Sequence, residues 1–138
     1  MAETKVTSVE QSTNVLGYAE IVTSQGSITS LTDITNLSIT VTVPTLNTGQ
    51  KIRVSAHVHF SVGVANDTMS IRINEGATVL QTENITTGGE GTAKPSVVLT
   101  PTAASHTYKI QAARGSGSGT ETVIAATTQP SYILVELI

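Results

Sequence analysis

The stretch Lys51-Ile52-Arg53-Val54-Ser55-Ala56-His57-Val58-His59-Phe60-Ser61-Val62 decides the fold. Its apolar residues (Ile52, Val54, Ala56, Val58, Phe60, Val62) all fall on even positions, and its polar ones (Lys51, Arg53, Ser55, His57, His59, Ser61) all fall on odd ones. Successive side chains of a strand point to opposite faces, so this run reads as a β-strand with one dry face and one wet face. Residues 37–43 repeat the pattern, with Leu37, Ile39, Val41 and Val43 alternating with hydroxyls until Pro44 stops the run. Shorter alternating runs follow at 17–23, 69–73, 79–85, 96–100, 107–112, 121–127 and 132–138, separated by turn residues such as Asn74-Glu75-Gly76 and Gly115-Ser116-Gly117-Ser118-Gly119. With no helical stripe, the expected fold is an all-β antiparallel sandwich or barrel with about 8–10 strands. It occupies residues 16–138. Residues 1–15 show no sustained periodicity and read as an extended arm, which at full stretch reaches about 50 Å, or as a frayed terminus.

Composition agrees with this reading and narrows the chemistry. The 138-residue chain has 38 Thr and Ser residues, one Phe, three Tyr, no Trp and no Cys. Cβ-branched residues suit strands. Without cysteine there is no disulfide framework, thiolate zinc site or cysteine nucleophile. The seven basic residues are scattered along a chain of net charge −3, which argues against a nucleic-acid partner. No signal-peptide run opens the chain and no apolar stretch approaches membrane-spanning length, so neither secretion nor a membrane is expected.

Few constellations carry chemistry. His57 and His59 stand two apart on one strand face, a spacing that suits metal ligation. Cupins combine such a His-x-His with a nearby Glu. Here Phe60, Ser61, Val62 and Gly63 follow instead. His106, read as a loop residue, and Asp67, in a turn, are the remaining ligands and could approach only by accident of folding; otherwise the two histidines decorate a sheet surface or a subunit contact. The acids Asp33, Asp67, Glu75, Glu83, Glu90, Glu121 and Glu136 show no paired spacing, and 115–119 has the letters of a nucleophile elbow but the composition of a loop tip. The expectation is a protein that is not an enzyme and has no cofactor. Tyr18, Phe60, Tyr108 and Tyr132 are read as core residues rather than sugar platforms.

The terminal run Tyr132-Ile133-Leu134-Val135-Glu136-Leu137-Ile138 is apolar on both faces. One face enters the domain core, and the other calls for a cover. A neighbouring subunit is the simplest cover, which places Tyr132, Leu134, Val135 and Ile138 at an oligomer interface. A central strand covered by its own loops is the alternative.

Leu16-Gly17-Tyr18-Ala19-Glu20-Ile21, the 37–44 run, Gly49-Gln50-Lys51-Ile52-Arg53-Val54, the 71–80 run, Ser105-His106-Thr107-Tyr108-Lys109-Ile110 and Tyr132-Ile133-Leu134-Val135-Glu136 together resemble small virion surface proteins of tailed phages that infect actinobacteria. Those proteins are similar to trimeric jelly rolls of the C1q and tumour-necrosis-factor type. The resemblance implies a homotrimer on the virion exterior, made in the host cytoplasm. It would be a capsid decoration protein that binds the major capsid protein and stabilises the head. The arm, through Lys5, Val6, Val9 and Val15, would then lie along the capsid. The alternative is a tail or head-fibre appendage that contacts tail proteins or a host cell surface through the loops at 25–33, 86–94 and 115–119. The resemblance brings no catalytic residue.

Overall fold

A computed structural model of the protein describes residues 14–138. It contains eleven strands: β1 (Val15–Ile21), β2 (Gln25–Ile28), β3 (Thr32–Thr42), β4 (Ile52–Ser61), β5 (Thr68–Glu75), β6 (Thr78–Thr86), β7 (Glu90–Ala93), β8 (Ser96–Leu99), β9 (Ser105–Ser116), β10 (Glu121–Ile124) and β11 (Ser131–Leu137). They form two antiparallel sheets. In the first, β4 is central: β11 and β10 pair along one side of it, extended by β1 and β2 respectively, while β8 and β7 pair along the other. The second sheet runs β3-β9-β5-β6.

The winding is that of a jelly roll. Lines β1-β11-β4-β8 and β3-β9-β5-β6 make the two sheets, and the chain passes between them at each step along β1, β3, β4 and β5, then again from β6 to β8, β9 and β11. The even-numbered residues of β4 enter the core as the alternation requires: Ile52, Val54, Val58 and Phe60 are fully buried and Ala56 nearly so. Ile133, Val135 and Val123 line the same layer, opposite Leu37, Val41, Ile71, Ile73, Tyr108 and Ile110 of the second sheet.

Several boundaries differ from expectation for identifiable reasons. β3 starts at Thr32, five residues before the alternating run, because Asn36 takes a left-handed conformation (φ 67°) at a register shift. That extra residue flips the parity, so Ile34 is inward on an even number and Leu37 on an odd one. The expected loop at 25–33 therefore contains β2 and the head of β3, and that at 86–94 contains β7. Gly91 of β7 lies over the Phe60 ring, where a Cβ would stand 2.8 Å from Cζ. This strand needs a glycine. Val15, expected in the arm, heads β1, and Asn14 accepts a hydrogen bond from Leu137. Lys5, Val6 and Val9 lie outside the described residues.

Candidate functional site

The outward face of the first sheet carries a row of rings. Tyr18 of β1, Tyr132 of β11 and His57 and His59 of β4 stand side by side, with centroid separations of 5.5, 5.4 and 4.7 Å along the row. Strand register builds it: Tyr132 pairs with His57, and Leu134 pairs with both Tyr18 and Ser55. Tyr18 is 45 % exposed and Tyr132 half-buried, so these two tyrosines face away from the core, contrary to the reading that placed them in it. Phe60 and Tyr108 are fully buried. The Tyr18 hydroxyl donates to Glu20 Oε2 at 2.8 Å, and burial together with that carboxylate pushes its pKa up to about 12. Leu134 flanks the row, and exposed Val98 and Ile138 extend the apolar surface.

Of the residues expected at an oligomer interface, Tyr132 and Leu134 point outward from β11, and Ile138 is exposed just beyond it. Val135 is a correction. It is fully buried inside the sandwich with Ile133, because it has the opposite parity from Leu134, and no neighbour reaches it.

The histidine pair sits within this face. His59 Nδ1 lies 3.1 Å from Thr92 Oγ1 and 3.3 Å from Gln129 Nε2. Burial holds both imidazoles below their ordinary pKa, helped by the nearby Lys94 and, for His57, by His59 itself. They are neutral near pH 7. Among the described residues no three His, Asp or Glu side chains group so as to hold a metal. His106 is not a loop residue. It stands on β9 of the other sheet, stacked on Tyr108, with Nδ1 2.5 Å from Glu75 Oε1 and Nε2 3.0 Å from the Thr102 carbonyl. The carboxylate raises its pKa, the opposite direction from His57 and His59.

Two polar clusters escaped the sequence reading. At one end of the sandwich Glu121, fully buried, faces Asp67, which is nearly so. Gly63 N–H donates to Glu121 Oε2 (3.0 Å) and Gly119 N–H to Asp67 Oδ2 (2.7 Å), while Glu121 Oε1 has no donor. The two acids are 54 positions apart in sequence, so no local spacing announces them.

The second cluster is a groove of about 380 Å³ on the outward face of the second sheet, lined by Leu31, Arg72, Asn74, Gly76, Ala77, Val79, Lys109 and Gln111. Register places Arg72 beside Gln111 and Asn74 beside Lys109. Asp33 accepts from Gln111 Nε2 at 2.7 Å and from Lys109 Nζ at 3.1 Å, and these bonds lower its pKa. Arg72 Nε, Asn74 Oδ1 and Gln111 Oε1 are buried and have no partner.

Strand order and core define a jelly-roll β-sandwich with one ring-bearing face and one grooved face. No family model matches the chain, and no curated protein matches it. Its structure is similar to a carbohydrate-binding module, CBM36, in complex with calcium and xylotriose (14 % identity over 87 % of this chain and 99 % of that one, TM-score 0.42). It is also similar to the module CBM6cm-2 from Cellvibrio mixtus lichenase 5A in complex with cellotriose (20 % identity, 88 % and 97 % covered, TM-score 0.41). A third likeness is to a protein of the T13 particle of the virus IBDV (16 % identity, 88 % and 34 % covered, TM-score 0.42). Likenesses this distant say nothing of what the chain binds.

Proposed function

We propose that the protein is a non-enzymatic structural component of a phage virion: a homotrimer on the outside of the head that binds the major capsid protein and stabilises the shell. The observation that carries the self-association is the Tyr18–Tyr132–His57 row with Leu134 beside it, an aromatic and aliphatic face that no element among the described residues covers. Aromatic side chains with one polar edge are the residue type enriched at the centres of protein interfaces. The place on the head comes from the sequence resemblance over residues 16–136. In that arrangement residues 1–15 contact the capsid.

Copy number in purified virions tests the assignment. Hundreds of copies per particle, in a multiple of three, are expected; a handful of copies removes the decoration role. The second reading, a tail or head-fibre appendage that contacts a host surface, is favoured by the polar groove, which lies on the sheet that trimerisation leaves free. A handful of copies supports that reading.

A further inference from the structure

We propose that the groove on the β3-β9-β5-β6 sheet is a binding site for a carboxylate-bearing sugar unit, held by Arg72, Asn74 and Gln111. The site is separate from the ring-bearing face, so it stands or falls independently of the trimer and of the virion assignment.

Buried polar atoms in folded proteins almost always have partners, and orphans are rare enough to need individual explanation. Five side-chain atoms among the described residues lack one, and three of them, Arg72 Nε, Asn74 Oδ1 and Gln111 Oε1, belong to residues that line this groove. Asn74 is only 2 % exposed, so its carboxamide is committed to this spot and not to bulk water. Neighbours do not absorb these groups. Asp33 is occupied by Lys109 and by the nitrogen of Gln111, which leaves the Gln111 oxygen free, and Arg72 forms no ion pair among the described residues.

The orphan set specifies its ligand. Arg72 is a charged donor without a counter-ion, and planar guanidinium favours carboxylate. Asn74 Oδ1 and Gln111 Oε1 are acceptors and need hydroxyl or amide hydrogens. A simple anion satisfies Arg72 and leaves both carbonyls unmet. A neutral sugar satisfies the carbonyls and leaves the cation uncompensated. One ring with both a carboxylate and free hydroxyls answers all three. The size agrees: residues two apart on a strand stand about 7 Å apart, within reach of one substituted ring, and about 380 Å³ is at the small end of ligand sites. Leu31, Ala77 and Val79 provide an apolar wall for the C–H face of the ring. At Gly76, on the β5–β6 turn, a Cβ would meet nothing within 4 Å, so the groove is open to solvent there.

The test is amide-resolved NMR titration of the full chain with methyl glucuronide and methyl galacturonide, and with the matching neutral glycosides. Expected are saturable shifts at Arg72, Asn74, Gly76 and Gln111, with at least one uronide binding at least tenfold tighter than its neutral counterpart. Arg72→Met should erase that tenfold preference, and Gln111→Met should weaken uronide and neutral glycoside alike. Melting curves check folding, and Arg72→Lys replaces Arg72→Met if the latter does not fold, with loss of most of the preference. The site is refuted if neither uronide shifts these amides, if folded Arg72 variants bind as the parent does, or if acetate competes as well as the uronide.

Discussion

Glu121 is fully buried beside Asp67, and its ionised form is costly there, because burial disfavours a charge and a neighbouring carboxylate adds to that cost. Burial first, then Asp67, pushes the Glu121 carboxyl above the usual carboxylate range, against the opposing pull of Gly63 N–H and Arg114. Protonated Glu121 has the donor that Oε1 lacks when ionised, and Asp67 accepts it. A carboxyl with a raised pKa contributes stability that is fully present below its unfolded value, roughly 4.3, and is lost as pH rises through the folded value. Glu121→Gln keeps the shape and supplies a permanent N–H. Its melting temperature should therefore fall less than the parent's between about pH 5 and about pH 8, and parallel curves would show that no proton is shared. His57 and His59 run the other way. Their lowered pKa makes the neutral form the favoured one, so whatever stability their buried setting provides is present above about 6.5 and lost as pH falls. Self-association through their face should weaken on acidification, measured by sedimentation at pH steps, and His57→Phe, which keeps the ring against Tyr132, should blunt that loss.

β11 puts two adjacent residues in opposite roles. Val135 is fully buried in the sandwich, whereas Leu134 lies beside the ring row. Val135→Asp buries an unpaired carboxylate and should prevent folding, a loss above about 4 kcal/mol. Leu134→Asp should leave circular dichroism and the fold intact and abolish self-association. If Leu134→Asp also unfolds the chain, β11 is a two-sided core strand and the interface assignment fails. β1 makes a sharper demand, because a Cβ on Gly17 would stand 2.6 Å from Val41 Cγ1 and 2.8 Å from Ile39 Cγ1 across the layers. Gly17→Ala should cost about 1–3 kcal/mol by overpacking, read from urea midpoints. These cases also show what sequence can reveal. β4 and the second half of β3 were legible because a period of two survives intact along them, and the dry and wet faces follow directly, while β11 was legible as a short run apolar on both faces. β2 and β7 were not, because each has four residues, glycine included, and no alternation to detect. The first half of β3 was hidden by the Asn36 bulge, which breaks parity without breaking the strand. For the ring row, the His57–His59 spacing was visible, but its alignment with Tyr132 and Tyr18 depends on register between three strands far apart in the chain. The groove is likewise a product of pairing, since Arg72 meets Gln111 only through β5–β9 register.

The jelly roll gives the molecule two outward faces of unlike chemistry, and the sandwich keeps them apart by its whole thickness. Face one is aromatic and aliphatic, with one in-plane ion pair, Arg53 to Glu136 at 3.5 Å, beside it. That ion pair is exposed and worth little, so cohesion between copies would come from burying Tyr18, Tyr132, Leu134 and the imidazoles. Face two has charged and amide groups around Arg72 and Asn74, which are costly to cover unless each finds a partner. The proposed self-association would therefore select face one and leave face two free. This separation has a thermodynamic signature. If the native state is a trimer and the unfolded chain a monomer, mass action makes the melting temperature climb with protein concentration, because dilution favours the side with more particles. The parent chain should show that climb over a hundredfold concentration range, and Leu134→Asp should melt at one temperature throughout. Arg72→Met, on the other face, should keep the climb unchanged. A melting temperature independent of concentration in the parent would mean that the ring-bearing face does not join copies of this chain, and a climb lost in Arg72→Met would mean that the grooved face does.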